Sequence, residues 1–160
     1  LDKLVVELKE PHERDMFDRI FKSIKPKNTQ KDIQIRIQNN IDNVLINADE
    51  SRLVQVVSNM VDNAEKHINN EGFIELKTEI DENYVVLSIE DSGEGIDSKD
   101  LPYIFEPFYQ GTQDENTKKK GSGLGLAICD YIIKKHNGEI FVYSEKNKGT
   151  KFIIKLQEII

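Results

Sequence analysis

The chain has 160 residues, of which 38% are apolar and 32% charged, a composition typical of one globular domain with a well-charged surface. The net charge of -7 argues against nucleic acid as a partner, because a phosphate backbone selects basic surfaces. No apolar run in the sequence approaches the length of a membrane span, so we expect no direct membrane contact by this segment. The single cysteine excludes an internal disulfide and makes the cytosol the expected compartment.

Hydrophobic periodicity predicts alternating strands and helices in the first half of the chain. The predicted elements are a strand at 3–9 closed by Pro11, a helix at 12–24, a strand at 31–37, a short apolar piece at 44–46 and a long helix at 50–68. Asp49 or Ser51 can cap the long helix.

The long helix carries two stripes. Its apolar positions recur at spacings of three and four, as expected of a face that docks on a sheet, and they are Leu53, Val56, Val57, Met60, Val61, Ala64 and Ile68. A polar stripe follows the edge of that face and consists of Asn59, Asn63, Lys66 and His67. Amide oxygens suit a hard cation and an ammonium suits phosphate, so the stripe predicts a site for an anion with its metal.

The second half begins with two hairpin strands and ends with a helix and another hairpin. These predicted elements are strands at 73–80 and 84–90, a helix at 124–136, and strands at 139–144 and 150–156. The region 91–123 between them has little periodicity, and an irregular stretch of that length is usually functional. The predicted fold is α+β, a single domain over residues 1–160 with a mixed, mostly antiparallel sheet and helices on one face.

Residues 89–96, IEDSGEGI, place a carboxylate and two glycines directly after a predicted strand. Asp91 can accept a hydrogen bond from an exocyclic amine, and Gly93 and Gly95 let a flat base approach the backbone. A tight turn is the alternative interpretation, because Asp and Gly often form one.

Residues 121–128, GSGLGLAI, lead from alternate glycines into an amphipathic helix, which exposes backbone N–H groups at a positive helix end. The glycine spacing differs from that of a dinucleotide-binding fingerprint, and the GK[ST] of a P-loop is missing. We therefore expect a phosphate site of another kind, with a flexible loop before a helix as the alternative.

Residues 104–111, IFEPFYQG, cluster aromatic side chains that need a place to bury. Phe105 and Phe108 are therefore expected to anchor a loop to the body of the domain. The run that follows, 112–120, is polar and ends in three lysines; it is interpreted as a lid over phosphates or as a solvated loop.

In this order, the segments resemble the ATP-binding catalytic domain of sensor histidine kinases, a family of the gyrase-like ATPase superfamily. The residues that match its N, G1, F and G2 boxes are Asn59, Asn63, Lys66 and His67, then Asp91, Gly93 and Gly95, then Phe105, Phe108 and Tyr109, and then 121–126. The resemblance covers nearly all of the chain. It implies a Bergerat fold, a two-layer α/β sandwich with three main helices on one face of a mixed sheet and an ATP lid.

The resemblance also implies that the chain binds ATP with Mg²⁺. By this resemblance Asp91 would bind the adenine amino group, Thr150 would support the adenine site, and the base pocket would be formed by Gly93, Gly95 and Ile96. Asn59 and Asn63 would hold Mg²⁺, Lys66 would contact phosphate, and His67 would lie beside the nucleotide.

The resemblance implies further phosphate contacts through the backbone N–H groups of Gly121, Ser122, Gly123, Leu124, Gly125 and Leu126. The lid would be anchored by Phe105, Phe108 and Tyr109.

Three departures from the family pattern stand out. His67 and Ile68 replace an aromatic and a hydroxyl residue, and Gln110 stands where a basic residue is common. The phosphoacceptor histidine box is absent, and His12 falls outside its context. We therefore expect the chain to be the catalytic part of a larger kinase, whose partners are its own dimerisation domain bearing the histidine and a downstream response regulator. That larger kinase can be an integral membrane sensor.

Asn59 stands where ATP-hydrolysing members of the superfamily carry a glutamate base, so hydrolysis should be slow and a kinase is favoured. Two alternatives remain: a serine kinase resembling anti-sigma factors, against which the aromatic box argues, and a non-catalytic nucleotide-binding scaffold module. Cys129 is expected to be a small buried residue, and His12 and His136 to be solvent-exposed or at helix ends.

Overall fold

The computed structural model describes residues 4–8, 11–12, 14–27, 30–41, 45–109 and 123–159, and within them strands and helices alternate largely as the periodicity predicts. In chain order the elements are β1 Pro11–His12, α1 Arg14–Ser23, β2 Asp32–Asn39, β3 Ile46–Asn47, α2 Glu50–His67, β4 Glu71–Asp81, β5 Tyr84–Asp91, a 3-10 turn Leu101–Tyr103, α3 Gly125–Lys135, β6 Glu139–Glu145 and β7 Gly149–Gln157.

Five of the strands form one sheet in the order β2-β4-β5-β7-β6. The pair β2 and β4 is parallel, because α2 lies between them in the chain and returns it to the same end of the sheet. The pairs β4–β5, β5–β7 and β6–β7 are antiparallel. The predicted mixed, mostly antiparallel sheet is confirmed, and β1 and β3 form a separate two-stranded pair.

The long helix α2 buries the face that its sequence predicts. All six residues of the predicted apolar stripe that lie within the helix are buried, and Ile68 directly after the helix is buried as well. Asp49 is the N-cap, because its carboxylate accepts the Arg52 N–H at 3.2 Å. Ser51, the other candidate, instead donates its hydroxyl to Asp49 at 2.8 Å.

The three helices of the described residues pack on one face of the sheet and enclose the core between themselves and the sheet. The buried side chains of α1 are Met16, Phe17, Ile20 and Phe21, and those of α3 are Ala127, Cys129, Ile132 and Ile133. On the sheet, Phe152, Ile154 and Leu156 of β7 are buried in alternation with half-buried neighbours. This two-layer arrangement confirms the predicted fold class. None of the helices described here is both long and apolar enough to cross a lipid bilayer.

The prediction of a strand over 3–9 is wrong for its described part, since residues 4–8 belong to no strand. Their backbone bonds to side chains of α2 and its cap instead of to a neighbouring strand. The Glu7 N–H donates to Asp49 at 2.9 Å, and the Val5 carbonyl accepts from the Arg52 guanidinium at 2.9 Å. Strand pairing begins only at Pro11, where a strand end had been expected.

Candidate functional site

Three polar side chains form a row across one end of the sheet. Asp91 of β5 pairs with Thr150 of β7, and Thr150 pairs with Ser144 of β6. Directly paired residues project to the same face, and Thr150 shares its face with the buried Phe152. Asp91 and Thr150 are each 4% exposed, so the row places a carboxylate and a hydroxyl at the edge of the core.

The Asp91 carboxylate is buried, and within the described ranges two backbone N–H groups bond to it. It accepts the Gly93 N–H at 2.8 Å and the backbone N–H of Thr150. Burial raises the pKa of Asp91 to about 6, although these two hydrogen bonds act to lower it. A carboxylate has about four acceptor positions, so an ionised Asp91 at neutral pH can still accept from an amine.

The glycines after Asp91 are required by the packing of the chain itself. A Cβ on Gly93 would lie 2.7 Å from the His67 carbonyl oxygen, and one on Gly95 would lie 2.2 Å from the Glu145 carbonyl oxygen. Gly95 also has a φ of 75°, in the left-handed region. The segment around Asp91 is therefore held between the end of α2 and the β6–β7 turn. Close backbone packing thus requires glycine at these two positions, whereas the sequence pattern indicated the approach of a base.

The polar stripe of α2 meets the first turn of α3. The Asn59 side-chain amide donates to the Gly125 carbonyl at 3.4 Å. Leu124, an apolar residue, occupies the N-cap position of α3 and offers no side-chain acceptor to the N–H groups of the first turn. The helix end thus presents backbone donors and a positive dipole beside the Asn59 amide, a combination that suits an anion.

The two described glycines of the loop before α3 differ in what they require. Gly123 has a φ of 73°, and a Cβ there would lie 2.7 Å from the Phe108 Cα atom. A Cβ on Gly125 would meet only Asn59, at 3.9 Å, which is an ordinary contact. The fold itself does not demand glycine at 125. Gly121, Ser122, Gln110 and the lysines at 118–120 lie outside the described residues.

The remaining residues of the α2 stripe lie along one rim. Asn63 is half-buried one turn beyond Asn59, and Lys66 is exposed in the last turn. His67 Nδ1 lies 3.3 Å from a carboxylate oxygen of Glu94, and the Glu94 N–H donates to the His67 carbonyl at 2.9 Å. These contacts tie the end of α2 to the segment that follows Asp91.

The aromatic cluster is only partly an anchor. Phe105 packs edge-on against Phe152 of the core, with ring centroids 6.1 Å apart. The Tyr109 hydroxyl donates to Asp100 at 2.5 Å, and this hydrogen bond raises the pKa of Tyr109 to about 12. The expected burial of Phe108 is wrong: its ring is 72% exposed, and its backbone N–H bonds the Gly123 carbonyl at 2.9 Å. The backbone of Phe108 makes this contact, while its ring faces solvent.

Ser144 and Glu94 are site residues that the sequence reasoning missed. The Ser144 hydroxyl accepts the Ile96 N–H at 2.8 Å and so fixes the segment after Gly95 to β6. One signal was present in the sequence: Ser144 continues the alternation of Ile140 and Val142 on the inward side of β6, where a polar residue is unexpected.

Two side chains with reactive groups, Cys129 and His136, are buried and have structural roles. Cys129 is buried, and burial raises the pKa of its thiol to about 12. His136 follows α3, as expected of a helix-end residue, but it is buried. Its Nε2 accepts the Asp49 N–H at 3.0 Å, and its Nδ1 lies 2.9 Å from the Ile132 carbonyl. Burial lowers the pKa of His136, so the neutral ring joins the end of α3 to the cap of α2.

A comparison with known families decides what this arrangement belongs to. The family model described as histidine kinase-, DNA gyrase B- and HSP90-like ATPase matches residues 48–160, from the cap of α2 to the end of the chain. The chain belongs to this ATPase family. One curated relative, Sensor protein SrrB of Staphylococcus aureus, is 41% identical over 108 residues, which are 68% of this chain and 18% of that protein. The chain therefore spans about a fifth of the length of the curated relatives it matches.

Solved structures of this ATPase family agree in fold. The mycobacterial sensor histidine kinase MprB has a TM-score of 0.75 at 26% identity, covering 93% of this chain and 98% of that one. The catalytic domain of histidine kinase ThkA has a TM-score of 0.75 at 28% identity, with 94% and 97% covered. Full-length ShkA in complex with AMPPNP has a TM-score of 0.77 at 26% identity, with 97% and 32% covered. The resemblance to the ATP-binding catalytic domain of histidine kinases is thus confirmed.

Proposed function

We propose that residues 1–160 form one catalytic domain that binds Mg-ATP and, within a larger two-component sensor kinase, donates the γ-phosphoryl group to a histidine on a separate dimerisation domain. The observation that carries this proposal is the 3.4 Å contact between the Asn59 amide and the Gly125 carbonyl. It brings the amide stripe of one helix to the positive end of another, so that a metal-bound anion can be held from both sides.

The base would bind at the row that begins with Asp91. Its buried carboxylate has more acceptor positions than the described residues use and is ionised at neutral pH, which suits a 6-amino group. The Thr150 backbone and the two glycines fix that carboxylate and the following segment, so the acceptor is oriented before a ligand arrives. Support comes from ShkA, a structural neighbour described in complex with AMPPNP.

The phosphates and metal would bind between α2 and α3. Asn59 and Asn63 offer two amide oxygens, the neutral ligands that a hard cation accepts beside phosphate oxygens. The exposed Lys66 offers a point charge at the rim, and the first turn of α3 offers backbone N–H groups. When bound, ATP supplies the phosphoryl group and Mg²⁺ part of its countercharge; the chain orients both. Asn59 cannot take a proton from water at neutral pH, so hydrolysis of the γ-phosphoryl group would be slow and its transfer to an imidazole nitrogen would be favoured.

Titration calorimetry with AMPPNP and Mg²⁺ tests the binding half of this proposal. We expect saturable binding by the intact chain, and a loss of roughly tenfold to a hundredfold for Asp91→Asn, as for a lost hydrogen bond to a charged group. Asp81→Asn is the matched control, because Asp81 lies at the opposite end of β4, beside the hairpin turn. Equal affinities of the two variants would remove Asp91 from the site.

Phosphotransfer is tested by adding ATP and a histidine-bearing dimerisation domain from the same kinase. Acid-labile, alkali-stable phosphate should appear on the added domain and require both proteins. Phosphorylation of His12 or His136 in this chain alone would contradict the proposed division of labour.

A further inference from the structure

The hydroxyl of Ser144 has three hydrogen-bonding neighbours. It receives the Ile96 N–H at 2.8 Å, lies 3.0 Å from the Gly149 carbonyl oxygen, and lies 2.9 Å from the Thr150 hydroxyl oxygen. A serine hydroxyl has one hydrogen and two lone pairs. Because a carbonyl can only accept, the Ser144 hydrogen goes to Gly149, and the Thr150 hydrogen must then be donated to Ser144.

This arrangement fixes what Thr150 can offer to a ligand. With its only side-chain hydrogen given to Ser144, the Thr150 hydroxyl presents lone pairs alone. Asp91, which is paired with Thr150 in the sheet, is also an acceptor when ionised. The end of the row therefore presents acceptors and no side-chain donor.

We propose that Ser144 is a specificity-determining residue that makes the site select a 6-aminopurine over a 6-oxopurine nucleotide. The inference rests on the proposed nucleotide binding and deepens it. An amino group at position 6 donates and matches the row, whereas a carbonyl oxygen there would face the Asp91 carboxylate and the Thr150 lone pairs without a donor. Sites with buried polar groups reject ligands that leave those groups unpaired.

Removing the Ser144 hydroxyl should relax this selection. Thr150 would then be free to turn its hydrogen toward the ligand and donate to a carbonyl oxygen. The Ile96 N–H would also lose its acceptor, so the segment after Gly95 would be held less firmly. The first effect changes the ratio of the two affinities, while the second weakens both nucleotides alike.

The test compares two ligands, AMPPNP and the inosine analogue of AMPPNP, by calorimetry with Mg²⁺ on the intact chain. We expect the unaltered chain to prefer the adenine analogue by roughly a hundredfold or more, and Ser144→Ala to reduce that preference roughly tenfold. Ser144→Thr keeps a hydroxyl and should restore most of the preference. Ser88→Ala, a serine of β5 two strands away in the same sheet, should leave it unchanged.

The outcomes separate this inference from the proposed function. If the unaltered chain binds neither analogue, the proposed function fails and the inference falls with it. If it binds both and Ser144→Ala keeps the same ratio, only the inference is overturned, and Ser144 has a structural role alone. Thermal unfolding checks each variant for folding. Ser144→Cys, which keeps the side-chain volume but bonds weakly, replaces the alanine variant if that one does not fold, with the same expected loss of preference.

Discussion

At the scale of single residues, the proposed base site depends on a carboxylate whose ionised form is destabilised by burial. Asp91 is buried, and two backbone N–H groups compensate only part of the loss of water. The sequence indicated Asp91 as an acceptor because it follows a strand and precedes two glycines. It could not show the raised pKa or the Ser144 contacts, because both arise from strands that are far apart in the chain.

The pH dependence of nucleotide affinity follows from Asp91. Its pKa is raised to about 6, so the ionised fraction falls as the pH drops below that value. Since a bound amine favours the ionised form, we expect the Kd of AMPPNP to rise roughly tenfold per pH unit well below about pH 6. Calorimetry between about pH 8 and about pH 5 measures this trend. Asp91→Asn should bind weakly with a flat profile, and a flat profile for the unaltered chain would contradict this role of Asp91.

At the scale of elements, the proposed phosphate site depends on the contact between α2 and α3. Periodicity predicts both helices to within two residues, and the polar stripe on α2 is evident from spacing alone. Spacing could not tell which glycine before α3 serves the fold. Gly123 serves it through a left-handed backbone against Phe108, while Gly125 has room for a side chain.

The variant Gly125→Ala should therefore separate folding from binding. A Cβ at 125 lies 3.9 Å from Asn59, and alanine favours the first turn of a helix, so stability should be unchanged or rise by up to about 1 kcal/mol. The affinity for AMPPNP should fall at least tenfold if phosphate approaches this backbone closely. Gly123→Ala is the contrasting variant and should be destabilised by at least about 1–2 kcal/mol. Urea unfolding and calorimetry on both variants give the two readouts.

The hydrogen bond between the Asp49 N–H and His136, which joins α2 to α3, makes the free energy of unfolding depend on pH. Folding lowers the pKa of His136 from 6.5, so the unfolded chain binds more protons and acid favours unfolding. This contribution is fully present above about pH 6.5, and it is lost as the pH falls from there through the lowered pKa of the folded chain. Asp91 has the opposite sign, since its raised pKa favours the folded state as the pH falls below about 6.

The comparison of the unaltered chain with His136→Gln isolates the histidine, because Asp91 is common to both. Between about pH 7.5 and about pH 5.5, the free energy of unfolding of the unaltered chain should decrease relative to that of the variant. Urea unfolding at each pH measures the difference. A constant difference would show that folding does not change the pKa of His136.

At the scale of the whole molecule, the sheet was the most predictable part. Alternation marked β2, and hairpin patterns marked the pair β4 and β5 and the pair β6 and β7. The strand expected at 3–9 failed because its backbone bonds to Asp49 and Arg52, a tertiary contact that alternation does not encode. The exposed ring of Phe108 was missed for a related reason: composition assigns an aromatic residue to the core, while local backbone geometry decides where it points.

Ligand binding should stabilise the whole fold in proportion to its affinity. At a concentration of AMPPNP near a hundred times its Kd, the gain in unfolding free energy is about 2.7 kcal/mol. For a chain of this size that corresponds to a rise in Tm of roughly 5–11 °C. Calorimetric scans with and without AMPPNP and Mg²⁺ measure it, and Asp91→Asn at the same ligand concentration should show a much smaller rise.

In the described part of the chain, hydrogen bonds join α2 and its cap to α3 and the residue after it at three places, one of which is the contact of Cys129 with the Val56 carbonyl. Asn59 meets Gly125 beside the proposed phosphate site, and the Asp49 cap meets His136 ten residues earlier on α2, roughly 15 Å away. Asp49 also holds the backbone at Glu7. These contacts form a continuous path from the proposed phosphate end to the segment 4–8. If nucleotide binding changes how firmly that segment is held, thermodynamic reciprocity requires that a force on the segment change nucleotide affinity by the same factor.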